Sequence, residues 1–187
     1  MEMLAVVAII SILAALIMPV IGHAKNQAKN AKARAEIDGL RMAMTAYYRE
    51  YGYWPPTTGA TWTDLSTMLN GNVNPATGAA AAGGSWALTN NIRAIHFMDL
   101  KRESVDTAGN LVDPFGTTYC IIFDNGDVAI GKAGWTDAPA VDREDNQVSN
   151  PGGGNDIQAQ IAIYSWGINK VDNNGANGTD DVKSWSN

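Results

Sequence analysis

The 187 residues carry thirteen Lys and Arg against nineteen Asp and Glu, enough chain for one domain with a core, or for a smaller domain with an extended appendage. Four of the basic residues (Lys25, Lys29, Lys32, Arg34) and one acid (Glu2) precede Ala35. That leaves nine basic and eighteen acidic residues from Ala35 onward, a net of −9 that argues against a nucleic-acid partner for this part. One cysteine rules out an internal disulfide. Two histidines, with no G-x-S-x-G, P-loop, H-E-x-x-H or paired C-x-x-C pattern, leave little material for nucleophilic or zinc chemistry, and the chain reads as a non-enzyme.

From Met3 to Ala24 there is no Asp, Glu, Lys or Arg, and Leu4 to Met18 is apolar all round. About twenty such residues span a bilayer as a helix. A signal peptide would start on a basic residue, whereas this segment starts on Glu2. An acid at the edge of an apolar helix costs about 2.5 to 3.5 kcal/mol if driven to the bilayer centre, so it calls for a partner. Pro19 removes a backbone donor inside the helix and loosens the preceding turn. Lys25, Lys29, Lys32 and Arg34 then form a basic collar beside an acidic body, a pattern that suits a membrane surface or a contact between subunits.

Glu2, the apolar run, Pro19 seventeen residues later and the basic continuation together resemble the N-terminus of type IV pilins and pseudopilins. In that family the mature chain begins with an N-methylated Phe-Thr-Leu-x-Glu. The resemblance implies that Glu2 neutralises the terminal amine of a neighbouring subunit as a filament grows, and that the helix near Pro19 can melt in the polymer. Only Met1 stands before the glutamate here, which implies that about three residues and a leader precede it.

The helix is expected to continue to Gly52. Ile37, Leu40, Met44, Tyr47, Tyr48 and Tyr51 recur at three- and four-residue steps as one apolar face. Gly52 followed by Tyr53-Trp54-Pro55-Pro56 ends it, a phrase similar to one in the major pseudopilins of type II secretion. We therefore divide the chain into a membrane or filament-core helix over 1–23, its continuation over 24–52, and a globular body over 53–187. In the body we expect a short amphipathic helix over Asp64 to Leu69, an exposed loop over Asn70 to Gly84, and a helix over Asn90 to Leu100 with Ile92, Ile95 and Phe97 inward.

Strands follow. Tyr119, Ile121 and Phe123 alternate with Cys120 and Ile122, Asp124-Asn125-Gly126-Asp127 offers a hairpin turn, and Val128 and Ile130 alternate again. Ile161 to Trp166 reads as a third strand, and Asp137 to Asn155 as a long Pro- and Gly-rich loop. Cys120 in this setting is a small buried side chain. Asp113-Pro114-Phe115-Gly116-Thr117-Thr118-Tyr119 resembles the Asp-Pro-Trp-Gly-x-x-Tyr signature of major pseudopilins, with Phe115 for Trp.

The segment Trp166 to Asp181 has the composition of a calcium loop: Asp172, Asp180, Asp181, several Asn and three glycines. Calcium takes six to eight oxygens from carboxylates, amides and carbonyls, and adjacent Asp180 and Asp181 repel without a cation nearby. It is no EF-hand, because positions five, six and twelve counted from Asp172 are Ala176, Asn177 and Lys183. A solvated polar loop of turn-forming residues is the alternative. Major pseudopilins carry a similar C-terminus that binds calcium, and the resemblance implies Asp180 and Asp181 as side-chain ligands and Trp166 as a carbonyl ligand. The family aspartate falls on Asn169, a weaker neutral donor, and Asp172 is the other candidate for that place.

The expectation is an α+β pilin fold, with a long N-terminal helix packed on a small antiparallel sheet and a C-terminal calcium loop. The implied role is a structural subunit that leaves the bacterial inner membrane, body on the periplasmic side, through pilus or secretion machinery. It would then join identical subunits in a pilus or a type II secretion pseudopilus. The alternatives are a minor pilin that initiates such a filament, a single-pass membrane-anchored binding domain, and an anchored enzyme using the loop metal.

Overall fold

A computed structural model describes residues 2–125, 129–131, 147–151, 156–176 and 179–185; of the helix residues Glu2, Ala5, Ala8 and 15–20 it describes the backbone alone. Helix α1 runs unbroken over Glu2–Tyr51, about 75 Å at 1.5 Å per residue. The side chains of Glu2 and Pro19 lie outside the described residues.

The two halves of α1 meet different surroundings. Toward its C-terminal end Ala33, Ile37, Leu40, Met44 and Tyr47 are each at most 1 % exposed, a seam at three- and four-residue steps against the body. Tyr48 and Tyr51 flank it, packed but half-buried. Toward its N-terminal end Met3, Leu4, Val7 and Ile12 are all more than 60 % exposed. Among the described residues no helical stretch is long and apolar enough to cross a membrane. Residues 15–20, whose side chains are not among them, sit inside the charge-free run from Met3 to Ala24. The Gly52 N–H closes the last turn on the Tyr48 carbonyl at 2.7 Å with φ at +77°, a left-handed cap that glycine adopts without strain.

Helix α2 spans Trp62–Leu69 and starts with a capping box: the Thr61 side chain accepts the Asp64 N–H, and Asp64 accepts the Thr61 N–H. Helix α3 spans only Trp86–Asn90, capped by Ser85. The helix expected over Asn90 to Leu100 is absent, and Ile92 is 76 % exposed. The cause is Asn91. Its side chain accepts the Ile95 N–H and the Tyr51 hydroxyl and donates to the Met68 and Ile95 carbonyls, so it satisfies locally what a further helical turn would have satisfied. The loop over Asn70 to Gly84 is less exposed than expected at its start, where Gly71 and Asn72 are buried.

The sheet is antiparallel in the order β1 (Cys120–Phe123), β2 (Ile161–Ser165), β3 (Val182–Lys183), with Ile121 opposite Ile163 and Ser165 opposite Val182. Ile130 pairs with Ile121 on the free side of β1, as the hairpin reading requires; residues 126–128 of its turn lie outside the described residues. Every residue of β1 and β2 is buried, so both faces of the sheet are covered. Tyr119, Ile121, Phe123, Ile161, Ile163 and Val182 join the core under α1. Cys120, Ile122, Ala162 and Tyr164 face a second cluster with Val148 and Ile157, flanked by Trp166 and Trp185. Val148 and Ile157 bridge one another, so the loop read over Asp137 to Asn155 closes on a short ladder; 132–146 and 152–155 lie outside the described residues. The architecture is α+β, with the second half of a long N-terminal helix laid on a three-stranded antiparallel sheet.

Candidate metal centre

Where β2 ends, Ser165 positions the C-terminal loop. Its hydroxyl donates to Asp113 Oδ2 at 2.5 Å and accepts the Gly167 N–H at 3.1 Å. Asp113, 4 % exposed, also accepts the Phe115 and Thr117 N–H groups and the Thr117 hydroxyl at 2.6 to 2.9 Å. The Asp-Pro-Phe-Gly turn and the start of the loop thus hang from one carboxylate. Sequence reasoning missed this link, since 52 residues separate its partners and no periodicity joins them. Gly167 has φ at +68°, and a β-carbon there would stand 2.2 Å from the Asp180 carbonyl oxygen. Glycine is required where the two ends of the loop cross.

The structure places the expected ligands in one loop but in different roles. Asp180 Oδ2 accepts the Asn169 N–H at 2.7 Å. Asn169 Oδ1 in turn accepts the Val171 N–H at 2.7 Å, which leaves its second lone pair for any cation. Asp172 Oδ1 accepts the Tyr164 hydroxyl at 3.0 Å and the Asn174 N–H at 2.9 Å. Asp181 Oδ2 accepts the Gly175 N–H at 2.8 Å, while Asp181 Oδ1 is buried with no hydrogen-bond partner among the described residues. The indole N–H groups of Trp166 and Trp185 are buried and unpartnered in the same sense. Lys183, another residue unforeseen as part of the loop, donates to the Gly175 carbonyl at 3.1 Å and lies 5.4 Å from the Trp185 ring centre.

Electrostatics sharpen the picture. Burial raises the Asp181 carboxyl above its ordinary range, and the charges of Asp180 and Asp172 push in the same direction. Burial lowers the Lys183 ammonium, against the pull of Asp181. Burial, and then Cys120 and Asp172, raise the Tyr164 hydroxyl, so it stays a donor to Asp172. Among the described residues no group of three or more His, Cys, Asp or Glu is gathered tightly enough to cage a metal ion. The donor set nevertheless fits a hard cation in kind: all oxygen, two carboxylates whose charges act against that of Asp181, and one buried Asp181 oxygen without a hydrogen-bond partner among the described residues. As placed, Asp172, Asp180 and Asp181 do not form such a group, and a cation would have to draw them closer together, with Asn169 and the Trp166 carbonyl as the neutral candidates.

A second polar contact ties α1 to the sheet. Glu36 Oε2 accepts the Tyr119 hydroxyl at 2.5 Å, and Glu36 Oε1 lies 3.7 Å from Lys32. Burial, and then Glu36, push the Tyr119 hydroxyl well above its usual range. No protein-family model, curated protein or solved structure matches the chain.

Proposed function

We propose that the chain is a structural subunit of a type IV pilin-like filament, a pilus or a type II secretion pseudopilus, and that it polymerises through α1. One observation carries the reading. A single continuous helix buries one face of its second half in the body and leaves the described large apolar side chains of its first half, among them Met3, Leu4, Val7 and Ile12, exposed. Exposed apolar surface costs about 25 cal/mol per Å², so such a half-helix needs a bilayer or the helices of other subunits around it. A charge-free run from Met3 to Ala24, with Glu2 before it and a basic collar behind it, suits both environments in turn. The work is mechanical, and the loop at the C-terminal edge serves it structurally: calcium at Asp172, Asp180 and Asp181 would pin residues 166–181 to β2 and β3.

The test is electron microscopy of the purified full chain and of Glu2→Ala. The reading expects helical filaments from the first and their loss in the second. Filaments of equal length and number from Glu2→Ala would remove its main chemical support.

A further inference from the structure

The basic residues are not confined to α1. Lys29 Nζ stands 5.3 Å from the centre of the Phe115 ring, and Lys170 Nζ lies 3.7 Å from where a β-carbon on Gly116 would be. Two lysines 141 positions apart in a chain of 187 therefore bracket one turn, Phe115-Gly116, at the base of the body. Lys170 sits at the tip of the tight turn over 167–170, with φ at +59°. On either side of it Ile168 and Val171 are 42 % and 54 % exposed. Of the nearby carboxylates, Asp180 accepts the Asn169 N–H, and Asp172 accepts the Tyr164 hydroxyl and the Asn174 N–H. An acidic body thus presents, at this edge, Lys29 and Lys170 beside the exposed aliphatic side chains of Ile168 and Val171.

Its position along α1 gives that edge a partner. Lys29 is five residues, about 7.5 Å, beyond the last residue of the charge-free run. If that run spans a bilayer, Lys29 is at the headgroups, and the body parts that touch it are the nearest to the lipid. We propose that the base of the body, the Phe115-Gly116 turn with the 167–171 turn, docks on an anionic lipid surface. Lys29 and Lys170 meet lipid phosphates while Ile168 and Val171 enter the interfacial layer. The inference rests on the membrane reading of α1. It adds to that reading a fixed posture for the subunit before assembly, held by charges that would have to let go when the helix leaves the bilayer. Near an anionic membrane each such lysine contributes enough to change occupancy about fivefold.

The experiment reconstitutes the full chain in vesicles of phosphatidylcholine alone or with phosphatidylglycerol, and reads vesicle flotation together with amide hydrogen exchange over 167–171. Flotation with both lipids, and slowed exchange in the turn with phosphatidylglycerol alone, supports the inference. The slowing should weaken about fivefold in each of Lys29→Gln and Lys170→Gln, and also in Ile168→Ser, while exchange in β1 and β2 stays unchanged. Flotation with both lipids but identical exchange in the turn overturns the inference and leaves the membrane reading standing. Slowing that follows the protein-to-lipid ratio and not lipid charge assigns this edge to a neighbouring subunit and overturns it too. Failure to float with either lipid overturns both readings.

Discussion

Asp113 accepts four hydrogen bonds while almost fully buried, so at the scale of single residues it is a sensitive point of the body. Replacing it with Ala leaves the Phe115 and Thr117 N–H groups and the Ser165 hydroxyl without that acceptor. Each buried polar group so stranded costs about 1 to 3 kcal/mol. Asp113→Ala should lower stability by about 3 kcal/mol or more, read from the midpoint of urea unfolding, and a loss under about 1 kcal/mol would mean that water replaces the carboxylate freely. Asp181 behaves in the opposite way. Its pKa is raised in the folded chain, so between its unfolded and folded values the folded state binds more protons, and stability falls as pH rises through that window. Calcium should cancel the loss. We expect the melting temperature above that window to rise with added calcium, and both the calcium effect and the acid-side gain to shrink in Asp181→Asn. No response of the wild-type chain to calcium up to about 10⁻³ M would sink the site.

Among the elements, α1 and the sheet show which patterns can be read in one dimension. Ile37, Leu40, Met44 and Tyr47 recur at helical steps because a straight helix presents every third or fourth residue to a flat partner, and all four are at most 1 % exposed. Leu40→Ala should therefore cost about 2 to 5 kcal/mol by opening a cavity between α1 and the sheet. Met42→Ala, on the outer face where Met42 is 67 % exposed, should stay within about 0.5 kcal/mol. Comparable losses in the two variants would place the seam elsewhere. The alternation of β1 was equally legible. The helix expected over Asn90 to Leu100 was not, because the Asn91 side chain that answers the Ile95 backbone is held in place by Met68 and Tyr51, both distant in sequence. Strand β3 has two residues and exists through its pairing with β2, so no local pattern could announce it.

For the whole molecule the decisive feature is imbalance. The body closes both faces of its sheet and buries one face of the second half of α1, while the described large apolar side chains of the first half are exposed, with none of the described residues covering them. A carboxylate at the edge of such a helix costs about 2.5 to 3.5 kcal/mol at the bilayer centre if unpaired. That is the energy scale on which Glu2→Ala should act on the proposed filament assembly. The charge asymmetry works over the same length: a basic collar on α1 is matched by Lys170 on the far side of the Phe115-Gly116 turn, so the basic edge belongs to the assembled body as much as to the helix.

The sequence by itself determined the long helix, the place where it ends, the core-facing stripe of its second half and the alternation of β1. Each of these depends on neighbours a few residues apart, where steric and hydrophobic periodicity acts directly. It also marked the acidic loop as oxygen-rich. Only the tertiary structure decided how that loop is held: Ser165 on Asp113, Gly167 under Asp180, Lys183 on Gly175, and Asp181 with one oxygen unanswered among the described residues. Those contacts bring together groups far apart along the chain, and their strength comes from burial, a quantity that a sequence pattern does not carry.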